Sequence, residues 1–264
     1  TGTRSSTSAA PTTEKAKTIE EAKTTAKPKM KKTRRGKLPA LPSHSDGILA
    51  GLDPDQRAAA EVVDGPLLIV AGPGTGKTRT LTHRLAHLVA NRGVPPEQCL
   101  ALTFSRRAAA EMRERLARLL PGESPQVPVM TFHALGFSIL QEHASRWGLR
   151  RPVRVAGESE RANLLETALS TTQRRARSLL GRISQWKRTG GQKDHEGTAR
   201  TSEQSPEDRQ TLAAYGRALR DRGWVDFDDL LLLPVELLEA EPALVEHYRA
   251  RYRFVTIDEY QDID

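Results

Sequence analysis

The chain has 264 residues, with 41 Lys and Arg against 33 Asp and Glu, seven His without metal-ligand spacing and a single cysteine. No apolar run approaches the roughly 18 residues of a membrane span, no signal-peptide core is visible, and the lone Cys99 excludes an internal disulfide framework and fits a reducing compartment. Residues 1–37 hold eleven Lys or Arg and three Glu, a net of +8 that equals the net charge of the whole chain, so residues 38–264 carry 30 charges of each sign and balance to zero.

The basic pI therefore describes only the start of the chain. Residues 1–45 are rich in Thr, Ala, Lys and Ser and lack aromatics. They cannot bury enough surface to offset ordering entropy, so they are read as a disordered linker. Lys27, Lys29, Lys31, Lys32, Arg34, Arg35 and Lys37 also suit a loose electrostatic hold on nucleic acid. Thr1 stands where a Met would open a full translation product, which reads as a processed or excised segment.

Beyond the tail, Asp53 and Pro54 predict a short helix with an Asp N-cap and Pro at its first position. Pro66-Leu67-Leu68-Ile69-Val70 predicts a strand, and a helix-patterned stretch follows over 78–90. Further strands are predicted near 98–103 and 127–131, each leading into a helix, at 106–119 and 132–147. Strands alternating with helices argue for a parallel sheet with helical crossovers. From 150 to 222 the strand signal fades and helices are predicted at 158–170, 173–187 and 206–221, with a polar loop over 188–205. Helices at 226–239, interrupted or ended by Pro234, and at 241–250 precede a last strand over 253–257.

Between the first strand and its helix lies Ala71-Gly72-Pro73-Gly74-Thr75-Gly76-Lys77-Thr78-Arg79-Thr80. Strand, glycine-rich turn and helix make a phosphate-binding loop in its required context, with Ala71 where the strict pattern has Gly. The glycines let several N–H groups converge on one anion, and the helix N-terminus adds partial positive charge. Lys77 is expected to reach the β- and γ-phosphates, and the Thr78 hydroxyl to ligate Mg²⁺. About 180 residues later, the last strand delivers Asp258-Glu259. Asp258 suits a magnesium ligand, direct or through water, and Glu259 suits the group that orients or deprotonates the attacking water.

Thr103-Phe104 and Thr131-Phe132 close two successive strands, where ligands of open α/β sheets bind. Their aromatics can stack bases while Arg106 and Arg107 contact phosphates. Core packing for the Phe pair and a solvated helix face for the Arg pair are the plainer alternatives. Asp226, Asp228 and Asp229 read as a helix N-cap and first-turn acids. Trp147, Trp186 and Trp224 read as packing residues.

Taken together, these motifs resemble the superfamily 1 DNA helicases of the UvrD, Rep and PcrA kind over about residues 50–264. Leu52 to Gln56 is similar to the Q-motif, which implies that Gln56 reads adenine. Ala71 to Thr80 matches motif I and implies a nucleotide pocket of Ala71, Gly72, Gly74, Thr75, Gly76, Lys77, Thr78 and Arg79. Leu102 to Ala109 resembles motif Ia and Thr131-Phe132-His133 motif Ib, which implies single-stranded DNA contacts by Thr103, Phe104, Arg106, Arg107, Thr131, Phe132 and His133. Motif Ia usually has Asn-Lys at Arg106-Arg107, and motif Ib usually has Ser at Ala134. Asp226-Phe227-Asp228-Asp229-Leu230 looks like the segment just before motif II. Val255 to Asp262 matches motif II, and Gln261 would couple the γ-phosphate to the DNA site.

The resemblance implies an α/β fold: a RecA-like P-loop domain with a parallel sheet over 46–148 and 223–264, and an inserted helical subdomain over 149–222. It implies ATP and Mg²⁺ as cofactors, single-stranded DNA and single-strand/duplex junctions as partners, 3′–5′ translocation, no membrane and a cytoplasmic, bacterial-type location. The later motifs, with their γ-phosphate arginines, and the second RecA-like domain are not among these residues. The expected behaviour is that of the N-terminal half of a motor. A RecB- or AddA-like helicase–nuclease and a nucleotide- or DNA-binding module without turnover remain alternatives; a small-molecule kinase fits poorly with Gln56 and Asp258 to Asp262.

Overall fold

A computed structural model of the chain describes residues 47–122, 126–190 and 205–262. The basic tail and most of the 188–205 loop lie outside the described residues.

The first elements are α1 (Pro54–Glu61) and α2 (Lys77–Arg92), after which strand and helix alternate as expected: β1 (Cys99–Thr103), α3 (Arg106–Leu119), β2 (Val129–Thr131) and α4 (Phe132–Glu142). Local chemistry sets their ends. Asp53 and Gln56 exchange side chain-to-backbone hydrogen bonds in a capping box before α1. Ser105 accepts from Ala108 N at 3.0 Å to start α3, and Gly93, at φ 65°, closes α2. The expected 132–147 helix breaks at His143, and Ala144–Trp147 continues as a 3₁₀ turn.

β1 is buried at all five positions, as a central strand covered on both faces must be. It pairs in parallel with β2 on one side and with β5 (Phe254–Ile257) on the other, so the sheet order is β2-β1-β5. Leu85, Leu88, Met112 and Leu116 from α2 and α3 pack with Cys99 and Ala101 to form the core over this sheet. Burial pushes the Cys99 thiol up to about 11, so it serves as inert filler.

One expectation fails. Pro66–Val70 forms no strand, and Leu68 and Val70 are 70% and 86% exposed. Its composition is that of a strand buried on both faces, but a strand needs a neighbour to bond. Among the described residues β5 is the sheet edge on that side and pairs only with β1.

The later residues fold as α5 (Glu158–Ala168), α6 (Gln173–Gly190) and α7 (Pro206–Asp221), which bury Leu165, Ile183, Tyr215 and Leu219 in a core of their own. Trp186 belongs to that core and Trp224 packs against it. Two short parallel strands that the pattern did not suggest, β3 (Arg154–Val155) and β4 (Trp224–Val225), pair at the two ends of this helical stretch. α8 (Asp229–Ala240) and α9 (Pro242–Arg251) then return the chain to β5.

Pro234 does not end α8. It has no N–H to offer the Leu230 carbonyl four residues back. Gly136 of α4 lies over that carbonyl, so closely that a Cβ there would fall 1.7 Å from Leu230 O. The helix kept its proline and α4 closed on the freed carbonyl, which only glycine permits. Gly136→Ala is expected to cost at least about 1–3 kcal/mol by forcing α4 and α8 apart, measured as a lower urea midpoint.

Candidate nucleotide site and nucleic-acid face

The glycine-rich turn is held from three sides. Gly76, at φ 88°, caps α2 in the left-handed region open to glycine. Gln56 Nε2 donates to Thr75 O at 2.9 Å, and a Cβ on Gly76 would meet that amide nitrogen at 3.0 Å. Arg79 Nη2 donates to Gly51 O at 2.8 Å. Within the turn, Thr75 Oγ1 donates to Gly72 O at 2.8 Å, and Lys77 Nζ folds back onto the carbonyls of Ala71 and Gly72 at 3.0 and 3.1 Å. Gln56 and Arg79 thus brace the loop before any nucleotide enters, and the Lys77 ammonium already sits over it.

Across 180 residues of sequence, Thr78 Oγ1 donates to Asp258 Oδ2 at 3.1 Å. Asp258 is 4% exposed. Its N–H donates to Leu102 O at 2.9 Å and continues the β1–β5 ladder by one residue. Its other oxygen accepts from Glu259 N at 3.2 Å. Glu259 has φ 53°, rare outside glycine, which turns the chain away after the strand. Gln261 Nε2 donates to Glu259 Oε2. So Thr78, Asp258, Glu259 and Gln261 form one chain of contacts beside Lys77. Two oxygens 3.1 Å apart, a hydroxyl and a carboxylate, fit a hard cation. The ligand–ligand edge of an octahedral Mg²⁺ site is about 2.9 Å for its 2.0–2.1 Å bonds.

The second face lies at the carboxyl ends of β1 and β2. Phe104 is 48% exposed and meets Phe132 edge-to-face at 5.6 Å. Arg106 and Arg107 are exposed at the start of α3. Thr131 accepts from Ala134 N at 3.2 Å as the α4 cap. Thr103 is buried and its hydroxyl lacks a partner among the described residues, so it faces inward. His133 stacks on Phe227 at 4.1 Å, and Phe227 is 56% exposed. Burial lowers the His133 imidazole, and Asp228 only partly offsets this. The ring therefore stays neutral near pH 7.

Phe227 was not singled out from its motif, and neither was the group that holds it. Asp226 and Asp229 are buried, and each accepts from the other's backbone N–H, at 3.0 and 3.1 Å. Lys187 of α6 donates to both carboxylates, at 2.8 and 2.5 Å, and Tyr215 OH of α7 donates to Asp226 at 3.0 Å. Burial raises the Asp226 carboxyl, but the Lys187 ammonium and Arg161 outweigh it and hold the group below the usual range. Burial, with Asp226 adding repulsion, leaves Asp229 raised. The two acids are more than an N-cap and first-turn acids: they anchor the helical stretch to the Phe227 turn. A lone Lys in an amphipathic helix gave no signal that it points inward.

Residues 52–264 match the family model described as the UvrD/REP helicase N-terminal domain. The ATP-dependent DNA helicase PcrA of Leuconostoc citreum is 37% identical over 218 residues, which cover 80% of this chain and 29% of that protein. PcrA of Bacillus subtilis (strain 168) is 33% identical over 223 residues, 83% of this chain and 30% of the relative. The ATP-dependent DNA helicase UvrD1 of Mycobacterium tuberculosis (strain ATCC 25618 / H37Rv) is 38% identical over 234 residues, 85% and 30% respectively. The chain spans about 30% of the length of these relatives.

Lys187→Met removes the cation from two buried carboxylates. It should destabilise the fold by about 3–5 kcal/mol, read by chemical denaturation. A change within about 0.5 kcal/mol would mean that the acids are not held as described.

Proposed function

The chain belongs to the UvrD/REP helicase family, and from that membership we propose that it is the ATP-binding N-terminal portion of a DNA motor. The observation that carries the reading is the Thr78–Asp258 hydrogen bond, which joins the phosphate loop to the acidic strand end. The activity for which these relatives are named, ATP-dependent DNA helicase, is the activity proposed for the longer protein.

In this reading the loop N–H groups and the α2 N-terminus take the phosphates. Lys77 exchanges the Ala71 and Gly72 carbonyls for phosphate oxygens, a better partner for an ammonium. Thr78 and Asp258 would hold Mg²⁺, directly or through water, and the ion would supply charge neutralisation to the phosphates. Glu259 orients the attacking water and accepts its proton, and Gln261 steadies that carboxylate. Gln56 and Arg79, which brace the loop, border the base and sugar end of the pocket.

Single-stranded DNA crosses the carboxyl ends of β1 and β2. Phe104, Phe132 and the His133–Phe227 pair offer stacking surfaces, and Arg106 and Arg107 offer phosphate contacts. The architecture proposed is a RecA-like domain with the helical stretch as an insertion, in a cytoplasmic protein that moves 3′–5′ and acts at single-strand/duplex junctions. Turnover and unwinding need a second RecA-like domain. Its transition-state arginines supply roughly 10³–10⁵ in rate.

The test is nucleotide binding and hydrolysis by the 264-residue chain, with and without single-stranded DNA, beside Lys77→Ala. Mg·ATP should bind, the Lys77→Ala protein should not bind it, and neither should separate strands. No ATP binding by the parent chain overturns the reading; robust strand separation overturns the need for a second domain. Replacing Arg106 and Arg107 together with Ala should weaken single-stranded DNA binding and reduce the log–log salt slope by about 1.4, measured by fluorescence anisotropy. An unchanged slope would assign both side chains to solvent.

A further inference from the structure

Each helix of the helical stretch sends one polar side chain to the same acid. Arg161 of α5, Lys187 of α6 and Tyr215 of α7 reach Asp226 at 3.5, 2.8 and 3.0 Å. They also hold one another. Arg161 donates to the Tyr215 hydroxyl at 2.6 Å, and the Lys187 ammonium lies 5.4 Å from the centre of the Tyr215 ring while donating to Asp229. A buried ion cluster is a weak source of stability, because desolvation cancels most of the attraction, and its best-attested use is to fix one arrangement.

What it fixes here is a turn. Asp226 and Asp229 bond each other's backbone N–H groups around Phe227 and Asp228, and the Phe227 carbonyl accepts from Leu230 N at 3.3 Å. Two carboxylates so close repel, and the Lys187 ammonium is the charge that bridges both. The ring placed by this turn is half of a composite pair. His133 stands one residue past Phe132, just beyond the end of β2, and Phe227 stacks on it at 4.1 Å and 22°. Phe104 and Phe132, which meet at 5.6 Å, instead follow directly on β1 and β2. Two stacking places on one face thus have different supports.

We propose that Lys187, Tyr215 and Arg161 are positioning residues for single-stranded nucleic acid: the seating of the helical stretch sets the His133–Phe227 pair, and through it the hold on the strand, without acting on Phe104–Phe132. The inference rests on the reading of this face as the single-strand path. By reciprocity, a strand stacked on Phe227 steadies the seating of α5, α6 and α7.

The variants are Tyr215→Phe, which keeps the buried ring and removes only the hydroxyl, and Lys187→Met, each in the full 264-residue chain with its fold checked by circular dichroism. The probe is a fluorescent oligothymidylate, read by anisotropy for each variant alone and combined with Phe227→Ala or Phe104→Ala. Phe227→Ala should weaken binding by about fivefold or more, the loss of one stacked base. Tyr215→Phe should weaken it by about twofold or more, and Lys187→Met further. Neither should add to the loss caused by Phe227→Ala, and both losses should persist in full beside Phe104→Ala. A ring stacked face-on shields the imidazole C–H protons, so proton NMR of His133, assigned with His133→Gln, reads the pair without nucleic acid. Those resonances should move in both variants toward their positions in Phe227→Ala. Should Lys187→Met fail to fold, Tyr215→Phe decides both readouts. Losses that add fully to Phe227→Ala, or resonances that stay in place, overturn the positioning role. Resonances that move while affinity holds overturn its link to nucleic acid. A parent chain that binds no oligonucleotide overturns the reading of the face, and the His133 resonances then still decide whether the cluster places Phe227.

Discussion

The contact between Thr78 and Asp258 is the constraint on which the rest of the molecule depends. Asp258 is buried, and among the described residues it is stabilised by a hydroxyl and a backbone N–H rather than by a Lys or Arg. A buried carboxylate so held strongly favours a cation beside it. To bring it there, β5 must lie beside β1 in parallel with Asp258 one residue beyond the ladder, where its N–H meets Leu102 O. The phosphate loop must be drawn to the same edge, which Gln56 and Arg79 achieve from the α1 side. Sheet order, loop bracing and the long excursion between Val155 and Val225 all serve one 3.1 Å hydrogen bond.

That excursion is fastened at its base twice. β3 and β4 close it with backbone hydrogen bonds, Arg154 N to Gly223 O and Ala156 N to Val225 O. Lys187 and Tyr215 then reach from α6 and α7 into Asp226 and Asp229, immediately before α8. Phe227 lies between those acids in sequence and is pushed outward onto His133. The buried ionic cluster therefore decides where an exposed aromatic stands. A hydrophobic cluster of equal volume would bury area but would not fix the turn so narrowly, since each carboxylate also bonds the other's backbone N–H.

What was legible in the sequence was what local chemistry determines. The extents of α3 and α7 were read from local patterning, and the structure shows Ser105 and Ser205 capping their starts; the phosphate loop and Asp258-Glu259 are contiguous strings whose chemistry needs those residues at that spacing. The unread parts depend on distant partners. Pro66–Val70 has strand composition, but composition cannot say whether a neighbouring strand is present. β3 and β4 are two residues each, too short for any periodicity. Pro234 was read as interrupting or ending its helix because the relief comes from Gly136, almost a hundred residues earlier. Lys187 drew no reading at all because its partners lie 39 and 42 residues on.

The two faces of the proposed site are joined by one hydrogen bond between strands that are far apart in sequence. Asp258 N bonds Leu102 O; Thr103 follows with its side chain inward; Phe104 follows that, exposed against Phe132. A displacement of the β5 end by phosphate or metal would reach the aromatic face through one hydrogen bond and two residues of a fully buried strand. Packed strands resist bending but can shift as a unit. Coupling in the proposed motor thus needs no long pathway: Leu102 of β1 bonds the nucleotide edge, and Phe104, just past the end of that strand, stands at the stacking edge.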